Sequence, residues 1–172
     1  MTTGHRTLYL VVSGAPTTEA ETIPDLVRLL HQDRWHITVL STPTGARFHD
    51  LDELEELTGE PVRVEFRHPG TGTSLPPADA VLACPLSFNS TNRVALGLTD
   101  TFATALVCEM IGHGVPTVIV PKTGVALAAH PAFDRNLALL SEIPAVQVLY
   151  SPGRKLPAWR EIVDTLSAVT NP

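Results

Sequence analysis

The chain has 172 residues and a mass of 18.5 kDa, enough for one domain that buries roughly 70% of the surface its unfolded form exposes. Hydrophobic residues make up 44% and charged residues 17%, which excludes a disordered chain, and the net charge of −6 without a lysine/arginine cluster argues against a nucleic-acid partner. No apolar run is long enough to span a membrane, and Leu8–Val12 is too short for a signal-peptide core, so the expectation is a cytosolic protein with no membrane partner and with Cys84 and Cys108 as free thiols.

Apolar runs and amphipathic stretches then alternate to the end of the chain. Leu8–Val12 reads as a strand buried on both faces, closing in Ser13-Gly14-Ala15-Pro16. Thr17–His31 carries Ile23, Leu26, Val27 and Leu30 at helical spacing, with the regular helix starting near Pro24. Ile37–Leu40 is a short strand ending in Ser41-Thr42-Pro43-Thr44-Gly45, and Leu51, Leu54 and Leu57 line one face of an acidic helix. Val62–Phe66 reads as an edge strand, and His68–Pro77 as the longest loop and a candidate active-site loop. Ala80–Cys84 is the next buried strand, stopped at Pro85; Asn89–Leu96 and Thr101–Ile111 are helices, with Gly112 and Gly114 as stop signals. Thr117–Val120 is a strand stopped by Pro121, Pro131–Leu140 a helix, Val146–Tyr150 a strand, and Pro157–Val169 a closing helix with proline in its first turn. This alternation predicts right-handed βαβ units in one domain spanning residues 1–172: a three-layer, doubly wound parallel sheet with helices on both faces. A ligand is expected beyond the carboxyl ends of the strands.

Those strand ends are rich in hydrogen-bonding groups. Ser13-Gly14 combines a hydroxyl with a position of close backbone approach, and Ser41-Thr42-Pro43-Thr44 adds three hydroxyls, a set that suits a monophosphate as well as ordinary turn chemistry. Ser87, Asn89, Ser90, Thr91 and Asn92 cluster after the strand at Ala80–Cys84, where they suit the edge of a flavin ring, a substrate carboxylate, or a helix N-cap at Ser87 or Asn89. No histidine or cysteine pair has zinc-ligand spacing, and neither Ser13 nor Ser87 sits in a serine-hydrolase elbow.

The run Ala78–Thr91, with Cys84-Pro85-Leu86-Ser87-Phe88-Asn89-Ser90-Thr91 at its end, resembles the Pro-Ala-Ser-Ala-Asn-Thr segment of the flavin-containing cysteine decarboxylase family. Gly97-Leu98-Thr99-Asp100-Thr101 is similar to that family's G-x-x-D-N segment, and Val120-Pro121 and His130–Leu137 to its proline-asparagine loop and the helix that follows. Together with Val12-Ser13-Gly14 and Ser41-Thr42-Pro43, the resemblance extends over roughly residues 7–140. The family comprises phosphopantothenoylcysteine decarboxylases and lantibiotic peptidyl-cysteine decarboxylases, with flavin prenyltransferases as more distant relatives. The resemblance implies a flavodoxin-like Rossmann-type fold, FMN as cofactor, and homotrimers or assemblies of trimers with the flavin at subunit contacts. It implies lyase or oxidoreductase chemistry on a small-molecule or peptide thiol, in which a cysteine is oxidised to a thioaldehyde, loses carbon dioxide and leaves an enethiol. By position it implies phosphate contacts from Ser13, Gly14 and Ser41 or Thr42, and ring or substrate contacts from Ser87, Asn89 and Asp100.

The chain departs from this pattern at two places. Thr71 stands where the decarboxylases carry histidine, which leaves His68, slightly upstream, as the candidate base or a solvated loop residue. In the Pro-x-Met-Asn-x-x-Met motif this chain reads Pro121-Lys122-Thr123-Gly124-Val125-Ala126-Leu127, with Gly124 in place of the asparagine that lies beside the cysteinyl substrate. Lys122 is a candidate for an anionic substrate or a surface lysine. The expectation is an FMN-binding relative of the oxidative cysteine decarboxylases, with His68 and Asn89 as candidate catalytic residues; the alternatives are a flavin-binding protein without decarboxylase chemistry and a flavin prenyltransferase-like enzyme.

Overall fold

The computed structural model describes residues 6–153 and 155–171. Five parallel strands, β1 (Arg6–Val12), β2 (Trp35–Ser41), β3 (Ala80–Leu86), β4 (Thr117–Pro121) and β5 (Val146–Val148), form one sheet in the order β2-β1-β3-β4-β5. The strands alternate between two hydrophobic cores because successive side chains point to opposite faces. Leu8, Leu10 and Val12 pack on one side with Ile23, Leu26 and Leu30 of α1 (Ile23–Gln32), Leu54 of α2 (Leu51–Thr58) and Ile162 and Leu166 of α7 (Trp159–Thr170). Tyr9 and Val11 pack on the other with Val94 of α3 (Phe88–Ala95), Val107 of α4 (Phe102–Gly112) and Leu140 of α6 (Pro131–Ser141). This is the doubly wound, flavodoxin-like arrangement expected, and the direction in which strands are added to the sheet reverses between β1 and β3.

Several expectations differ in detail. Val62–Phe66 has the period-2 pattern of a strand but forms only one bridge, Arg63 to Leu40: Arg63 donates to Val39 and accepts from Ser41. The chain then turns Phe66 edge-on to Phe102 and leaves the sheet, so β2 stays the edge. Pro85 lies inside β3 instead of ending it, with a register shift between Ala83 and Leu86 that accommodates the missing N–H, whereas Pro121 is itself the last residue of β4. The last helix begins at Trp159, whose indole is buried, with Ala158 as N-cap and Pro157 before it. The last strand stops at Val148 instead of Tyr150, and a short helix, α5 (Val125–Ala128), forms where no element was expected.

Candidate functional site

The site begins at the switch point. Ser13, the first residue after β1, is fully buried; its hydroxyl donates to the Pro85 carbonyl (2.9 Å) and accepts from the Ser87 N–H (2.8 Å), tying the end of β1 to the start of α3. The next residue must be small. A Cβ on Gly14 would lie 2.5 Å from the Thr44 methyl, and one on Gly45 would lie 2.6 Å from the Ser41 hydroxyl and 3.0 Å from the Ser13 Cα and the Val12 carbonyl. Ser41, also buried, donates to the Thr42 carbonyl, and Thr42 accepts from the Gly45 N–H. The loops after β1 and β2 are thereby locked against one another. The Nε2 of His49 reaches the Ser13 carbonyl at 3.0 Å. Burial lowers the pKa of this imidazole, reinforced by the nearby charge of Lys122 and opposed by that bond, so it is the neutral ring that donates to Ser13.

In front of these loops opens a cavity of about 740 Å³, within the roughly 300–1,000 Å³ range of small-molecule sites. The two locked loops contribute Gly14, Ala15, Pro16, Thr42 and Thr44; the opposite wall comes from Lys122, Thr123, Gly124 and Leu127. Between them stand the N-termini of α3 and α4. Ser87 caps α3 by accepting from Ser90, and Thr101 caps α4 by accepting from Thr104. The first-turn N–H groups of Phe88, Asn89, Phe102 and Ala103 form no bond among the described residues, and neither does the Gly14 N–H. Both helix starts and the β1 loop therefore present free donors and favour electron-rich or anionic ligand groups.

Asn89 and Asp100 converge on Arg93, whose Nε donates to the Asn89 side-chain Oδ1 at 3.1 Å and whose guanidinium pairs with the Asp100 carboxylate. Lys122 lies half-buried and donates to the Pro16 carbonyl; burial lowers its pKa. The Thr123 hydroxyl is buried without a partner. Cys84 is fully buried behind the site, and desolvation pushes its thiol well up, so it stays protonated.

Of the residues singled out in the sequence, Gly14, Thr42, Ser87, Asn89, Asp100 and Lys122 line this one cavity. Ser13 and Ser41 stand behind it with their hydroxyls committed to backbone carbonyls. His68 is outside the lining, on the exposed loop after Arg67, where its carbonyl accepts from Thr71. Sequence reasoning missed Arg93, Thr104, Thr123 and His49. Arg93 stands at i+4 from Asn89, a spacing that signals a helical pair; the other three carry no local signal. Among the described residues no cluster suits a metal ion, and no helix is long and apolar enough to cross a membrane.

A curated relative, the coenzyme A biosynthesis bifunctional protein CoaBC of Thermococcus kodakarensis, is 31% identical over 113 residues, which cover 64% of this chain and 27% of that protein. The chain thus spans about a quarter of that relative's length. Among solved structures, the FMN-dependent cysteine decarboxylase SpaF matches with a TM-score of 0.77 at 22% identity, over 95% of this chain and 96% of that one. MrsD from Bacillus sp. HIL-Y85/54728 matches at 0.76 with 16% identity, and HAL3 from Cryptococcus neoformans at 0.73 with 21%, each over 96% of both chains. These likenesses agree on the fold, and the family model described as Flavoprotein matches residues 1–171. The chain belongs to the flavoprotein family.

Proposed function

We propose that this protein binds FMN in the cavity at the β1/β3 switch point and presents it to a cysteine-like thiol, in chemistry of the oxidative decarboxylase type. The observation that carries this reading is the cavity itself: it sits where doubly wound sheets of this strand order hold their ligands, and its donors suit a flavin mononucleotide. The Gly14 N–H and the hydroxyls of Thr42 and Thr44 suit a phosphate, with Ser13 and Ser41 acting behind them as braces. Ser87, Asn89 and the free N–H groups of α3 suit the polar edge of the ring, and Phe88, Pro16 and Leu127 supply apolar wall. When bound, FMN supplies two-electron redox chemistry; the protein supplies orientation and electrostatics. Asp100 holds Arg93, and Arg93 in turn orients the Asn89 amide. A homotrimer belongs to the same proposal, supported by the exposed Val125 and Leu127 beside the cavity, which a second copy would cover.

A second reading is favoured by a specific observation. Among the described residues, the only titratable side chains lining the cavity are Arg93, Asp100 and Lys122; Arg93 and Asp100 neutralise each other, and His68 is elsewhere. With Gly124 in place of the family's asparagine, a flavin-binding protein without decarboxylase chemistry fits this wall. One experiment separates the two. The purified protein is mixed with FMN, freed of excess, and examined for flavin absorbance, and carbon dioxide release is then measured with cysteine-ending peptides and phosphopantothenoylcysteine. Bound flavin with turnover supports the first reading, bound flavin without turnover supports the second, and a colourless protein removes both.

A further inference from the structure

The wall formed by the end of β4 carries a charge that no ion pair among the described residues compensates. Three charged side chains line the cavity, and two of them, Arg93 and Asp100, form an ion pair. Lys122 has no carboxylate within ion-pair distance among the described residues, and Glu21 acts on it only at longer range. Among the described residues its ammonium has one hydrogen-bond partner, the Pro16 carbonyl, which occupies one of three donors and brings no counter-charge. The lowered pKa of Lys122 agrees with a cation held in partly desolvated surroundings without a partner.

The adjacent residue adds an independent sign. Thr123 is only 7% exposed and lines the same cavity, yet its hydroxyl has no hydrogen-bond partner. Native folds leave few buried polar atoms unpaired, and those that remain call for an explanation such as an absent ligand. Gly124 follows without a side chain, so that position supplies no polar group of its own to either neighbour.

We propose that Lys122 and Thr123 form an oxyanion-binding pair, the ammonium supplying charge and the hydroxyl a directed hydrogen bond to a carboxylate or phosphate oxygen of a ligand in the cavity. A point charge beside a neutral donor suits either group. The oxyanion has two possible sources, the phosphate of the flavin or the carboxylate of a thiol substrate, and this division rests on the flavin-binding reading; the anion site itself rests on the residues alone.

The test uses the full chain as wild type, Lys122→Met, Lys122→Arg and Thr123→Val, with thermal melts to confirm folding. Inorganic phosphate is titrated while the backbone amide signals of Thr123 and Gly124 are followed by NMR. Saturable shifts are expected in the wild type, with affinity at least about tenfold weaker in Lys122→Met and largely restored in Lys122→Arg. Thr123→Val should weaken binding by a smaller factor. FMN, riboflavin, N-acetylcysteine and N-acetylcysteine amide then identify the source. If Lys122→Met weakens FMN about tenfold and leaves riboflavin unchanged, the pair serves the flavin phosphate. If the wild type prefers N-acetylcysteine to its amide about tenfold and Lys122→Met loses that preference, the pair serves a substrate carboxylate. No saturable phosphate shift in the wild type, or equal phosphate affinity in wild type and Lys122→Met, overturns the proposal. Failure of the wild type to retain FMN overturns the flavin reading instead, and leaves the phosphate titration to decide the anion pair.

Discussion

The cavity wall made by the loops after β1 and β2 is fixed by backbone contact, whereas the wall made by the segment after β4 leaves apolar side chains in solvent and a hydroxyl unpaired. On the first wall, Gly14 and Gly45 admit no Cβ, and Ser13 and Ser41 are fully buried and bonded to carbonyls. On the second, Val125 and Leu127 are 64% and 51% exposed, and α5 is a single turn. The difference separates two kinds of residue. Those on the locked wall shape the cavity through the fold, and those on the open wall line it without carrying the fold.

Five measurements break or sharpen that comparison. Gly45→Val is expected to have the largest effect, because its side chain would meet the Ser13 and Val12 backbone, which cannot rotate away. A cost of about 3 kcal/mol is expected, lowering Tm by roughly 10 °C. Ser13→Ala removes both an acceptor for Ser87 and a donor to Pro85, at about 2 kcal/mol in denaturant unfolding. A loss under about 0.5 kcal/mol would show that the wall is not locked through Ser13.

His49→Gln tests the same wall through pH. Burial holds the folded-state pKa of His49 below its ordinary value near 6.5, so as pH falls the unfolded chain takes up the proton first. The stability tied to the neutral ring is complete above about pH 6.5 and is lost as pH falls toward the lower folded-state value. Tm measured between pH 8 and pH 5 should therefore fall more steeply in the wild type than in His49→Gln. His31 is shifted in the same direction and is present in both proteins, so the difference isolates His49. Equal slopes would mean that His49 titrates alike in both states.

Asn89→Ala should change stability by less than about 0.5 kcal/mol while weakening retention of FMN, because its side chain is exposed and bonded only to Arg93. Full flavin retention with an unchanged mass in solution would remove Asn89 from the site. Leu127→Ser should be the mildest, within about 0.5 kcal/mol for the isolated chain. A cost equal to that of Ser13→Ala would end the distinction between the walls.

The sheet was legible because burial on both faces writes near-continuous apolar runs, as in Leu8–Val12 and Ala80–Cys84, and a cap such as Ser87 stands just before its helix. Val62–Phe66 misled because alternation records a half-buried surface and says nothing of whether a neighbouring strand is there to pair with. In the site, hydroxyl-rich strand ends pointed to the edge of the sheet where the cavity opens, and six of the nine residues singled out line it. The polarity of Ser13 and Ser41 was visible, but not that both hydroxyls are turned to backbone carbonyls. Thr123 and His49 depend on burial created by distant segments, which no local pattern encodes.

The Asn89–Arg93 bond has a consequence for any molecule that enters. A guanidinium can only donate, so the amide oxygen of Asn89 must face Arg93, and the amide nitrogen is left to face outward. The free N–H groups of Phe88 and Asn89 beside it have the same sense. This stretch of wall therefore reads one letter only: a carbonyl or an unprotonated ring nitrogen completes it, while a ligand edge made of N–H groups meets like with like and is turned away.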